Sequence, residues 1–176
     1  HGLGSIPKII IVKNLDVTQG WTVYSSEIGA NERLVLNSTN AKGTCTACFG
    51  NTRPTDTVFT VGDDADTNGT GNGMIAYCFA DVQGYSKFGS YTGNGNADGT
   101  FVYTGFKPAF VMVKNTAINE NWSMHDQKRN ENVSPNFARL TADDSQAEAT
   151  NTTFAKVELF SNGFKLGNSA DVINDS

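Results

Sequence analysis

The chain has 176 residues, enough for a domain that buries about two-thirds of its unfolded surface without metal or disulfide staples. Its net charge is −5, and the 13 Lys and Arg are scattered, with no cluster denser than Lys128-Arg129; this excludes the basic patch that phosphate neutralisation requires, and so excludes nucleic acid as a partner. Apolar runs reach only about ten residues, too short for a spanning helix, so no membrane insertion is expected.

Eighteen glycines, with frequent Asn and Thr, favour strands and turns over helices. The first predicted strand is 7–14, PKIIIVKN. Its continuous apolar run suits a central strand, and Pro7 sits where a missing N–H is tolerated. Strands at 21–26, 33–37 and 57–62 follow, each rich in β-branched or aromatic residues and mostly bounded by turn formers. MIAYCFADV predicts a strand over 74–82, with Cys78 inside it as a core residue. Further strands are expected at 100–104, 108–115, 121–126, 137–141, 154–160 and 163–167. The polar stretches 38–56, 63–73, 84–99 and 142–153 read as loops, and the weak helical signal falls between Ser134 and Thr150.

One idea is written twice. PKIIIVKN, Pro7 to Asn14, returns as PAFVMVKN, Pro108 to Asn115, a shift of 101 that also carries Gly4 onto Gly105 and Trp21 onto Trp122. Arg33-Leu34 returns as Arg139-Leu140, and FTVGDDAD, Phe59 to Asp66, as FKLGNSAD, Phe164 to Asp171. Two copies of one unit of about a hundred residues are too few to close a solenoid or propeller. They predict an all-β, antiparallel β-sandwich of jelly-roll or concanavalin-A-like type: a single domain over 1–176, with pseudo-repeats 1–83 and 104–176, a connector 84–103 and a shared interior. Trp21 and Trp122 read as packing anchors. The first copy continues past its Gly/Asp/Asn loop into MIAYCFADV, whereas the second reaches Ser176 where its counterpart would begin. The expectation is an open sheet edge, or a last strand supplied by a following segment.

Few residues carry chemistry. Cys45-Thr-Ala-Cys48 is a lone CxxC without the further ligands a zinc site needs, and reads as two small loop residues, with a local disulfide or a metal or redox role as alternatives. Asp64, Asp66 and Asn68 open a D-x-D-x-N-G run that suits calcium, but Ile75 stands where a bidentate Glu is required, so the run also reads as a solvated turn. No other cofactor is indicated. His125 lacks a nucleophile motif, and because its counterpart is Tyr24 it reads as a sheet-surface residue. The stretch from Gly84 to Phe106 sets Tyr85, Phe88, Tyr91, Phe101 and Tyr103 among Gly, Ser, Thr and Asn. Aromatic faces beside amides suit a sugar or a protein partner, which makes Tyr85, Phe88, Tyr91 and Tyr103 the candidate ligand- or partner-binding residues. The alternative is a connector with its aromatics packed inward.

AYCFADVQGYSKFGSYTGNGNADGTFVYTGFKPAFVMVKN, followed by NWSMHD and LFSNGFKL, resembles a domain of virion structural proteins in tailed phages, marine and cyanobacterial phages especially. The resemblance implies a jelly-roll or lectin-like sandwich on the virion surface, in a tail fibre, appendage or capsid decoration, and it implies no catalytic residues. The expected partners are other copies of the chain in a trimer or higher assembly, neighbouring virion proteins and host-surface glycan. The rival readings are a lectin or surface-filament subunit unrelated to phage, and a polysaccharide depolymerase, which would need a cleft with two carboxylates.

Overall fold

The computed structural model describes residues 1–129, 138–149 and 155–176. The chain divides into two compact units, His1–Ser90 and Tyr91–Ser176. The fold is all-β: the described residues form three antiparallel sheets and two helices of one turn each.

In the first unit the apolar run after Pro7 becomes β1 (Ile9–Asn14), flanked on one side by β2 (Thr22–Ser25), β3 (Glu32–Val35) and β4 (Gly43–Thr44). A short helix, α1 (Ala65–Asn68), leads to β5 (Met74–Phe79), which closes the other edge of β1; the sheet order is β4-β3-β2-β1-β5. Alternation turns Ile10 and Val12 inward, where they meet Tyr24, Cys48 and Phe49, with Phe59, Met74 and Cys78 packed around them. Tyr24 meets Phe49 edge-on at 5.5 Å, and Arg53 binds the Tyr24 hydroxyl and the Ile28 carbonyl at 3.1 and 2.7 Å. Cys45 and Cys48 form a disulfide, so of the three readings of the CxxC the local disulfide is the one realised.

The second unit contains β6 (Phe101–Tyr103), β7 (Phe110–Val113), β8 (Ser123–Asp126), β9 (Leu140–Thr141), β10 (Val157–Phe160), β11 (Gly163–Leu166) and α2 (Asp171–Asn174). They form two sheets, β7-β8-β9 and β10-β11-β6. Val111 and Val113 from the first sheet and Val157, Phe164 and Leu166 from the second enter one apolar cluster with Val172 and Ile173 of α2, a sandwich-like arrangement. Fully burying a side chain of this kind contributes about 1.5–3 kcal/mol. The two apolar clusters each draw on one unit alone.

The repeated letters are a repeated set of bonds. Lys13 donates to the carbonyls of Asn14 and Gln19, and Lys114 to those of Asn115 and Glu120. The Asn14 side chain accepts from the N–H groups of Asp16 and Val17 and donates to the Ala65 carbonyl; Asn115 accepts from Ala117 and Ile118 and donates to the Asp171 carbonyl. The Trp21 N–H meets Asn37 Oδ1 and the Trp122 N–H meets Asp143 Oδ1. Asn68 binds the Gly62 carbonyl, and Asn174 binds that of Asn168. These late pairs are 106 apart, so the helices match one residue out of step with the FTVGDDAD and FKLGNSAD alignment, which has a shift of 105.

Other elements differ from expectation. Residues 57–62 form no strand: their counterpart β11 lies between β10 and β6, but the first unit offers 57–62 no such neighbours, and Phe59 packs inward from a loop. The loop 38–56 contains β4 and the disulfide turn. The helix expected between Ser134 and Thr150 falls partly outside the described residues, and 138–149 contains instead β9 and a bridge between Arg139 and Ala149. The strand expected over 137–141 reduces in its described part to β9, and that over 154–160 to β10. The connector 84–103 is divided between the units, and its end, β6, is a strand of the second.

Candidate binding surface

Of the aromatics in the Gly84–Phe106 stretch, the structure sends some outward and some inward. Tyr91 is held inside the second unit: its hydroxyl donates to the Ile173 carbonyl at 2.6 Å and its ring meets Phe164 edge-on. Burial raises its phenol above the usual range. The following GNGNADG loop clasps α2. The Asn94 N–H donates to Asn174 Oδ1, Asn174 Nδ2 donates to the Asn96 carbonyl, and a side chain at Gly93 would collide with the Asp175 backbone. Phe88, in the first unit, is half-buried against Phe79 at 6.1 Å. Tyr85, also in the first unit, and Tyr103, in the second, are 81% and 68% exposed.

Tyr103 belongs to a surface that the sequence reading saw only in part. Period-two alternation along β6 puts Phe101 and Tyr103 on the outward face of the β10-β11-β6 sheet. Register sets Tyr103 and Phe160 on either side of Gly163, and Phe101 and Glu158 on either side of Lys165. Gly163 leaves space that the Phe101 ring occupies; a Cβ there would lie 2.9 Å from its Cζ and closer still to the Val102 carbonyl. Phe101 and Phe160 meet edge-on at 6.0 Å. The β10–β11 turn is fixed at its tip, because the Asn162 carbonyl accepts the N–H groups of both Thr104 and Gly105. Phe101, Tyr103 and Phe160 remain 44%, 68% and 42% exposed.

Charged groups border this aromatic floor. Lys165 pairs with Asp98, and Lys156 with Glu158 at 2.7 Å. The Lys165 ammonium holds the Asp98 carboxyl below its ordinary range, and Asp98 raises Lys165 in turn. Flat apolar rings beside ionic donors and acceptors can cover the C–H face of a sugar ring and bind its hydroxyls. Phe160 lies outside the Gly84–Phe106 stretch and escaped notice there; its signal was the turn Phe160-Ser-Asn-Gly163, which returns an outward aromatic to the same sheet face as β6.

The other candidates are occupied by the fold. Asp64 caps α1 by accepting the Asp66 N–H, Asp66 pairs with Arg33, and Asn68 donates to the Gly62 carbonyl. Cys45, Cys48 and Asp64 lie close enough to share an ion, but the disulfide removes both thiolates. An apolar depression of about 320 Å³ beside α1 is lined by Val12, Phe59 and Met74, and its polar members Thr67 and Asn68 already donate to the Cys48 and Gly62 carbonyls. His125 is fully buried rather than on the sheet surface. Its Nε2 lies 2.9 Å from Ser123 Oγ, itself fully buried, so this Ser–His pair has no access for a substrate. Burial, then the charges of Arg139 and Arg129, push the His125 imidazole down to about 4. Among the described residues no helix is long and apolar enough to cross a membrane.

The model of a protein family, Domain of unknown function (DUF7483), matches residues 1–176. No curated protein and no solved structure matches the chain.

Proposed function

The chain belongs to the DUF7483 family, and we propose that it is a non-enzymatic structural and adhesion module of a phage particle, displayed on the virion surface and binding host glycan through the outward face of β10-β11-β6. In this reading the all-β fold is a jelly-roll, lectin-like sandwich, and the module works as a symmetric homo-oligomer that multiplies one weak site per chain. The resemblance of the Gly84–Phe106 stretch and its flanks to virion domains supports the placement. The observation that carries the adhesive role is the exposed aromatic floor of Phe101, Tyr103 and Phe160 across Gly163, rimmed by Lys165, Asp98 and Glu158.

The test is a glycan array probed with the 176-residue chain on a multivalent support, together with Tyr103→Ala and Phe160→Ala. Tyr103 is solvent-facing, so its variant should melt with the parent, whereas Phe160→Ala also loses the edge-on contact with Phe101 and should melt slightly lower while staying folded. Each stacked ring contributes about 0.5–1.5 kcal/mol, so each variant should weaken sugar binding by about twofold to thirteenfold. Absence of binding by the parent, or binding by both variants undiminished from the parent's, overturns the reading.

A further inference from the structure

We propose that the outer edge of β7 is a strand-acceptor site, whose occupant is an extended antiparallel apolar segment of the β5 type. The repeat provides the argument. In the first unit β1 is paired on both edges, with β2 on one side and β5 on the other. Its counterpart β7 is paired with β8 in the same register, Phe110 opposite Asp126 as Ile9 is opposite Ser25. On its other edge β7 has no strand among the described residues. The Lys8 N–H donates to the Phe79 carbonyl and the Leu15 N–H to that of Gly73; the equivalent N–H groups, of Ala109 and Thr116, have no partner among the described residues. The exposed face tells the same story, with Phe110 56% and Met112 37% accessible where Ile9 and Ile11 are half-buried.

An unpaired edge of this kind is a template for strand addition, in which ladder hydrogen bonds give affinity and alternate side chains give specificity. The β1–β5 register, moved by 101, specifies the occupant residue by residue. Phe110 and Met112 would face positions equivalent to Phe79 and Tyr77, a pair of aromatics on the solvent side. Val111 and Val113 would face positions equivalent to Cys78 and Ala76, small residues that extend the cluster around Val157 and Leu166. The site needs no sugar and lies on a different sheet from the aromatic floor, so the two proposals fail separately.

The probe is a synthetic peptide copying Gly73–Ala80 with Cys78→Ser, added to the 176-residue chain and followed by amide NMR and hydrogen exchange. Expected is saturable one-to-one binding with slowed exchange at Ala109–Val113. N-methylation of the peptide amides that face β7 leaves every side chain in place and should weaken binding at least about tenfold, because several ladder bonds of about 0.5–1.5 kcal/mol are lost. Met112→Lys, at a solvent-facing position, should weaken it as well. Four outcomes overturn the proposal: no saturable binding; equal binding by the N-methylated peptide; changes confined to Ile9–Asn14, which would mean exchange with β5; or a dimer of the chain alone in which β7 amides are already protected.

Discussion

His125 predicts an acid-sensitive second unit. Its imidazole is fully buried, bonded to Ser123, and faces the cations Arg139 and Arg129 and the anion Asp126. The folded-state value is about 4, against 6.5 for the free side chain. A depressed base binds fewer protons folded than unfolded, so stability rises with pH through this window and is lost as pH falls from 6.5 towards 4. Between pH 7 and pH 4.5 the linkage amounts to about 2.5 kcal/mol. Carboxylates such as Asp126 and Asp98, whose values lie below the ordinary range, add losses at still lower pH, so a single acid titration does not isolate the histidine. The assay is urea unfolding of the parent and of His125→Gln at pH 7 and 4.5, with the second-unit transition read from Trp122 fluorescence in a Trp21→Phe background. The variant should be weaker at pH 7, since it disturbs a packed site, but its stability should change about 2.5 kcal/mol less between the two pH values. Equal pH dependence in the two proteins would refute the reasoning.

The repeated asparagines give a graded pair of mutants. Asn14 is almost wholly buried and holds two N–H groups and one carbonyl, so Asn14→Ala should destabilise the first unit by about 2–3 kcal/mol; Asn115→Ala, half-buried with the same bonds, should cost the second unit less, by unit-resolved hydrogen exchange. Reduction of Cys45–Cys48 opens a small loop, for which chain entropy gives about 2 kcal/mol; reductant should lower the urea midpoint of the first-unit transition and leave the second in place.

The sequence made the repeat visible because its repeated letters do repeated work. Lys13 and Lys114 tie down turn carbonyls, Asn14 and Asn115 bind the start of a short helix, and both strands bury alternate residues. Such roles need particular side chains at particular offsets. What stayed hidden depends on neighbours supplied from far along the chain. Phe59–Thr60–Val61 has strand-like composition but, among the described residues, no strand paired with it. His125 sits in an alternating S-M-H-D run that fits a surface position equally well; its full burial, and the charge of Arg139 fourteen residues downstream that acts on it, come from tertiary packing that the run does not encode. Asp64, Asp66 and Asn68 match a metal pattern on paper, yet a helix cap, an ion pair with Arg33 and a carbonyl contact already use them.

The two copies have diverged in the cover over β1 and β7 and in the region that follows residue 45. The first unit covers β1 on both sides and fixes its 45–62 region with a disulfide and Arg53. The second replaces that region with β10 and β11, and only there does a two-residue turn at Ser161–Asn162 bring Phe160 beside Phe101. Gly163 shows that this floor is incompatible with a side chain beneath it. In the first unit the aligned residue, Val58 at a shift of 105, lies outside any strand and is 58% exposed. The aromatic floor therefore belongs to one copy and depends on a glycine that the other lacks. A duplicated unit is then free to keep one copy closed while the other presents an aromatic face and, among the described residues, a β7 edge with no strand beside it. Gly163→Ala discriminates between a floor that merely decorates the sheet and one the sheet is built to carry: its Cβ would displace the Val102 backbone and the Phe101 ring together. Such a variant should lose sheet stability and sugar binding at once, whereas Tyr103→Ala should lose binding alone.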